Sequence, residues 1–428
     1  MIRYAISGSR PVTDYKNCSP SDCRFKAGDI LTVPVIVASL GNFVDVYDLV
    51  LFSIVRITSL KSIGFSGQEL LDHGVFLLNI QMAGLLIGGI LWGIFGDKKG
   101  RMKILFGSIF LYSVANIANG TVASLHAYAF WRFIAGIGLA GELGAGVTLV
   151  AEILPRGSRG YGAMVIAAVG FAGAILANTI AERFDWRVAY YIGGVLGLML
   201  LVLRAGVIES SMFKQMEGMN VHKGAFLKLF TSRARFFRYM KTILIGMPLW
   251  YGAGLLITLS PEFARELGIT GPVSAGKAVM FGYFGGLVGD CVCGFLSQRL
   301  RSRKKAVCAF MSLNLFFIAV YFSLQNSSVE TFYVVCWALG FASGYWAVLI
   351  IIAAEQFGTN LRATVATTVP NFVRSAVIPI MFLFQFIKKD LGILYGGALV
   401  GAVCLCISFY ALYRLEETFN RDMNFIEE

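Results

Sequence analysis

The stretch GIFGDKKGRMK, Gly93 to Lys103, crowds five charges (Asp97, Lys98, Lys99, Arg101 and Lys103) between two segments that are almost purely apolar. GVFLLNIQMAGLLIGGILWGIF, Gly74 to Phe95, runs into it, and ILFGSIFLYSVANIANG, Ile104 to Gly120, follows it. The first segment has 22 residues without a charge, enough as a helix to cross a hydrocarbon core about 30 Å thick. The charged knot then reads as a short connection between two membrane crossings. Similar apolar runs recur along all 428 residues, which are 57% hydrophobic and 14% charged, where soluble chains carry about 25% charged residues. Lipid offers the backbone no partners, so a spanning segment must be a helix or part of a closed barrel. These runs are too long and too apolar for barrel strands. The sequence therefore specifies an all-α membrane protein.

The apolar runs predict twelve transmembrane helices near residues 31–57, 74–95, 104–120, 127–154, 160–180, 187–203, 241–261, 275–296, 306–323, 331–356, 363–386 and 391–413. The segment from Arg204 to Lys241 holds eight basic residues and divides the spans six and six. The expected organisation is a tail (1–30), a six-helix bundle (31–208), a linker (209–240), a second six-helix bundle (241–413) and a tail (414–428). With the N-terminus in the cytoplasm, the cytoplasmic connections hold 20 Lys and Arg against seven on the other side. That bias places both termini inside. It also accounts for the net charge of +12 without a nucleic-acid partner. The first 26 residues lack the apolar core of a cleavable signal.

The halves echo each other. EILPRGSRGYG sets Glu152 seven residues before Arg159, and EQFGTNLRATV sets Glu355 seven before Arg362. The opening stretch aligns with GFLSQRLRSRK, Gly294 to Lys304, pairing Gly93 with Gly294. Two pseudo-symmetric six-helix bundles are a transporter architecture.

GIFGDKKGRMK resembles the G-x-x-x-D-[RK]-x-G-R-[RK] signature of the major facilitator superfamily, and the Glu-x6-Arg pairs resemble its cytoplasmic network. Three further stretches resemble the metabolite:proton symporter branch, carriers of betaines, amino acids and organic acids. They are GNFVDVYD (Gly41–Asp48), RFIAGIGLAGELGAG (Arg132–Gly146) and ESSMFKQM (Glu209–Met216). Asp45 and Val46 stand where that branch has Glu and Trp, Ala140 replaces a Gly and Ser211 a Pro. The resemblance implies a conformational latch built from Gly93, Asp97, Gly100, Arg101, Glu152, Arg159, Glu355 and Arg362. Gly100 permits a tight turn, and the lysines can meet anionic lipid. Topology-setting charge alone is the plainer reading of the same residues.

Ionisable groups at membrane depth are costly and mark function by default. Asp45 and Asp48 share a face of the first span, and Arg132 and Glu142 lie in the fourth. The resemblance places these spans around a central cavity. A carboxylate there can load and release a proton as its exposure changes. Asp45, Asp48 and Glu142 are the proton-coupling candidates, with Arg132 to modulate one of them or clamp a substrate carboxylate. A structural ion pair such as Asp48 with Arg132 is the alternative. Tyr47, Arg132, Trp250, Tyr251, Tyr345 and Arg374 are candidate substrate contacts; packing explains the aromatic ones equally well. Asp290, in the eighth span, is a weaker candidate.

The six cysteines in apolar runs behave as small hydrophobes, and Cys18 and Cys23 match no metal or redox spacing. The glycines Gly136 to Gly146 fit close helix packing rather than a nucleotide loop. No cofactor, metal or enzymatic activity is expected. The sequence predicts a monomeric secondary transporter of the bacterial inner membrane, importing an amino acid, betaine or organic acid with a proton. An exporter on the same fold and a non-transporting sensor are the alternatives.

Overall fold

The computed structural model describes residues 33–99, 101–142, 159–207, 226 and 228–419. Its regular structure there is helical, apart from a single bridge between Thr270 and Ser328. The first half contributes α1 (Val33–Ser62), α2 (Glu69–Lys99), α3 (Arg101–Asn119), α4 (Leu125–Leu139), α5 (Arg159–Arg183) and α6 (Trp186–Val207). The second half opens with α7, made of Arg233–Ile245, Met247–Trp250, a π-helical turn Tyr251–Ile257 and Ser260–Glu266. Then come α8 (Ala275–Arg299), α9 (Arg303–Phe322), α10 (Val329–Ala342 and Trp346–Glu355) and α11 (Thr359–Ser375). Val377–Tyr413 prolongs α11 as far as Gly392, where the chain turns and α12 begins.

These are twelve spans in two six-helix halves. Nine of the described helices are long and apolar enough to cross a membrane, one of them being α11 and α12 together; α3 is shorter, and α4 is described only to Glu142. Twelve crossings return the chain to the face where it started, here the terminal face; the other is the distal face. Large apolar side chains such as Phe110, Met199, Val202, Phe295, Phe316 and Phe386 are exposed on the outside, as a lipid-facing surface requires.

The halves are built alike. α2 packs on α4 and α8 on α10, and in both pairs glycine sets the approach. A Cβ at Gly84 would run into the Phe133 carbonyl, and one at Gly285, its counterpart in the repeat, into the Trp337 carbonyl. Without hydrocarbon to exclude from water, close backbone packing is what holds such helices together. Ser124, Ser274, Ser302 and Ser328 cap α4, α8, α9 and α10, each accepting a backbone N–H three residues on.

Three local readings need correction. α7 begins at Arg233, inside the stretch 209–240 expected as linker, because Tyr239 and Ile243 bury against the second half. The expected connection between the last two spans, 387–390, is helical; the turn is made at Gly392 with φ 75°, a conformation that favours glycine. Arg204, counted among the connection's charges, is buried within α6.

Candidate functional site

A cavity of about 190 Å³ lies between the halves. Asn42, Val46 and Leu49 of α1 and Phe171 of α5 wall it on one side. The other wall includes Trp250 of α7, Tyr283 and Asp290 of α8, Trp346 of α10 and Arg374 of α11. The π-helical turn shapes α7 beside it: the Thr258 N–H reaches the Ala253 carbonyl five residues back at 3.2 Å.

The cavity is mostly apolar, and its charges are few. Arg374 donates from Nη2 to Asp45 Oδ2 at 3.1 Å, while its Nε and Nη1 have no partner. Its guanidinium carbon stands 6.0 Å from the Trp346 ring centre. Asp290 Oδ1 accepts the Ala347 N–H at 3.1 Å, and Oδ2 accepts nothing. The Asn42 side-chain nitrogen is spent on the Ile166 carbonyl, and the Ser343 hydroxyl accepts from Asn314.

Behind the α1 wall lies a second layer of buried charge. Asp45 and Asp48 are 0% and 1% exposed, and neither Asp48 oxygen has a hydrogen-bond partner. Arg132 donates to the Gln81 side-chain oxygen and sits over the Phe52 ring at 4.9 Å, with its Nε and Nη1 unpartnered. No ion pair joins Asp48 to Arg132. The pair the sequence did not reveal is Arg374 with Asp45, which ties α11 of one half to α1 of the other. α11 adds two further bonds to the first half: Ser375 Oγ to the Met82 carbonyl at 2.9 Å and Asn371 Nδ2 to the Ala140 carbonyl at 2.8 Å.

Glu142, the third proton-coupling candidate, is paired within the first half. Its carboxylate takes Arg204 Nη1 and Nη2 at 3.0 and 2.5 Å, and Arg204 also donates to the Val37 carbonyl. A Cβ at Gly41 would collide with both side chains. The candidate tyrosines likewise face away from the cavity. The hydroxyls of Tyr47, Tyr251 and Tyr345 donate to the carbonyls of Ala189, Gly397 and Ile245 at 2.8, 2.7 and 3.1 Å. Of the aromatic candidates, Trp250 lines the cavity.

The latch candidates are partly in view. Gly93 faces Thr368 of α11. Glu355 binds Arg303 Nη2 at 3.3 Å and the Thr418 hydroxyl at 2.7 Å. Gly100 and Glu152, with the side chains of Asp97, Arg101, Arg159 and Arg362, lie outside the described residues.

Two ion pairs that sequence reasoning missed join the halves at the distal face. Arg56 of α1 grips both oxygens of Glu262 of α7 at 2.6 and 2.8 Å, and Lys388 reaches Asp72 of α2 at 2.7 Å. Arg56, an arginine inside an apolar run, was the visible signal. Among the described residues no cluster of His, Cys, Asp and Glu could hold a metal ion.

Comparison with known proteins agrees with this architecture. The Major Facilitator Superfamily description matches residues 38–381. A "Probable 4-methylmuconolactone transporter" of Cupriavidus pinatubonensis is 25% identical over 337 residues, covering 76% of each chain. The alpha-ketoglutarate permease of Escherichia coli is 24% identical, covering 77% of this chain and 81% of its own. The solved structure of the proton:xylose symporter XylE superposes with a TM-score of 0.69 at 16% identity, over 93% of this chain and 98% of that one. At that identity the superposition establishes the fold.

Proposed function

The chain belongs to the Major Facilitator Superfamily and is a membrane transporter, and we propose that it imports a small polar metabolite with a proton by alternating access. The proposed setting is the bacterial inner membrane, with both termini in the cytoplasm. The relatives named for 4-methylmuconolactone and alpha-ketoglutarate favour an organic acid among the substrate classes expected.

One observation carries the proposal: Arg374 lines the cavity and at the same time holds Asp45 across the boundary between the halves. A substrate carboxylate entering the cavity meets the unspent Nε–H and Nη1–H of Arg374. Bound there, it shares the positive charge that Asp45 depends on. Asp45, released in a dry site, takes a proton, because an unpaired buried charge is far more costly than a neutral acid. Anion and proton thus enter together. With Asp45 neutral, the α1–α11 tie is broken and the halves are free to rock. Asp48, on the same face of α1, is placed to pass the proton, and Arg132 limits how much negative charge that face accumulates.

Flux in proteoliposomes tests this. With an imposed pH gradient, a panel of organic acids, amino acids and betaines is expected to include one that accumulates. Asp45→Asn is expected to lose gradient-driven accumulation while retaining exchange of that substrate between the two sides. Accumulation that persists in Asp45→Asn overturns the coupling role. Binding without movement makes the protein a sensor, and extrusion under the same gradient makes it an exporter.

A further inference from the structure

We infer that the cavity is built for a single-ring organic acid that carries a hydrogen-bond donor away from its carboxylate, with Asp290 as the residue that reads the donor. The inference rests on the transport reading above and narrows its substrate.

Size is the first argument. A dry protein cavity of roughly 150 Å³ accommodates one benzene molecule. The 190 Å³ here therefore admit one six-membered ring with one or two small substituents.

The walls are the second. Val46, Leu49, Phe171, Ile257 and Ile350 have no side-chain hydrogen bonds to offer, and Trp250 and Trp346 add aromatic rings to the lining. A ligand with hydroxyls on every carbon would leave most of them unpaired there, and unpaired buried polar groups are penalised. A planar ring loses nothing against such walls.

The unspent charges are the third. Arg374 and Asp290 are 3% and 6% exposed, line the same cavity, and each keeps polar atoms without a partner. They stand on different walls, α11 and α8, on either side of the Trp346 segment: Ala347 N–H holds Asp290 Oδ1, and the Trp346 ring faces Arg374. Arg374 demands an acceptor and Asp290 Oδ2 a donor. The Asn42 nitrogen is engaged and the Ser343 oxygen already accepts from Asn314. Tyr283 and Ser343 add neutral hydroxyls to the lining, while Arg374 and Asp290 are its charged side chains and make the strongest polar demand on a ligand. A ring with a carboxylate and a hydroxyl or amine satisfies both.

The test is a thermal-shift titration of the full-length purified protein with 4-hydroxybenzoate, benzoate, succinate and glucose, followed by flux of the same probes. Hydrogen bonds to a charged partner favour 4-hydroxybenzoate over benzoate by about tenfold or more. Asp290→Ala is expected to bring that ratio close to one by weakening the binding of 4-hydroxybenzoate. Asp290→Asn, of the same shape, is expected to lower the ratio if the alanine variant does not fold. A wild-type ratio of one, a ratio unchanged by either variant, or succinate or glucose binding as tightly as the ring acids overturns the inference. Flux of succinate without binding of ring acids would sink the inference and keep the transport reading. Binding of 4-hydroxybenzoate without flux would do the reverse.

Discussion

At the scale of single residues, the decisive facts are which buried charges have partners. Glu142 and Arg204 are both about 1% exposed and bonded through two oxygens and two nitrogens. Removing one member of such a pair strands the other, at a cost of about 3–5 kcal/mol. Glu142→Gln is therefore expected to lower the thermal unfolding temperature markedly, and Glu142→Gln with Arg204→Met to recover most of the loss. A double variant no better than the single would show that the pair is not the unit of stability. Asp48→Asn is expected to act differently. Neither of its oxygens accepts a hydrogen bond, so the neutral amide should fold as well as the wild type and show its effect in proton-coupled uptake alone. An unfolding temperature that drops as far as that of Glu142→Gln would refute this distinction. The sequence made the charges legible, because Asp45, Asp48, Arg132, Glu142 and Arg374 each interrupt an apolar run. Their pairing was not legible. Arg374 and Asp45 are 329 residues apart, Glu142 meets an arginine that looked like loop charge, and no local pattern encodes either contact.

At the scale of elements, the spans and their glycine crossings were readable, while the breaks within spans were not. Apolar length is a local property that composition reveals. The π-helical turn in α7 and the turn at Gly392 depend on what the neighbouring helices leave room for. Gly340 shows the constraint at a crossing: a Cβ there would penetrate the Gly282 backbone of α8. Gly340→Leu is expected to force α8 and α10 apart and abolish both folding yield and transport, whereas Gly294→Leu, where a Cβ meets open space, should be tolerated. Equal behaviour of the two variants would count against this account of the crossing. The terminal face offers a pH-dependent element. Burial raises the Glu417 carboxyl, but the Ser302 hydroxyl and the N–H groups of Phe419, Arg303 and Thr418 outweigh it and hold the group below the usual carboxylate range. The carboxylate also sits at the start of α9, where negative charge is favoured. Because the folded-state value is depressed, its contribution is full above the ordinary Glu range and fades as pH falls toward the folded value. Glu417→Gln should thus lower the unfolding temperature at neutral pH and match the wild type in acid. A deficit that stays constant with pH would remove Glu417 from this role.

At the scale of the whole molecule, side-chain pairs among the described residues join the two halves on the distal side of the cavity. On the distal side, Arg56–Glu262 and Lys388–Asp72 join them, with Thr258 and Ser53 bonded through their hydroxyls at 3.2 Å. The cavity lies to the terminal side of these contacts, walled by α1 residues 42–49 that precede Arg56 in the helix. The described state is therefore tied across the distal face. The repeat in the sequence foretold two similar halves but not which face is tied, since each ion pair takes one partner from each half. Arg56 is 1% exposed and grips its carboxylate through two bonds, so losing Glu262 leaves a buried cation that favours opening. Glu262→Gln is expected to shift the population toward a state open at the distal face. A Ser53→Cys reporter, buried between α1 and α7 in the described state, would read the shift as maleimide labelling faster by about tenfold or more, given the cost of an orphaned buried charge; labelling of the same background without the reporter sets the zero. Exchanging the charges, Arg56→Glu with Glu262→Arg, should bring the rate back down, because the tie needs opposite charges across the boundary and not a particular assignment of them. Labelling that is equally slow in all three backgrounds would mean the distal face is closed by apolar packing, with the ion pairs merely lying over it.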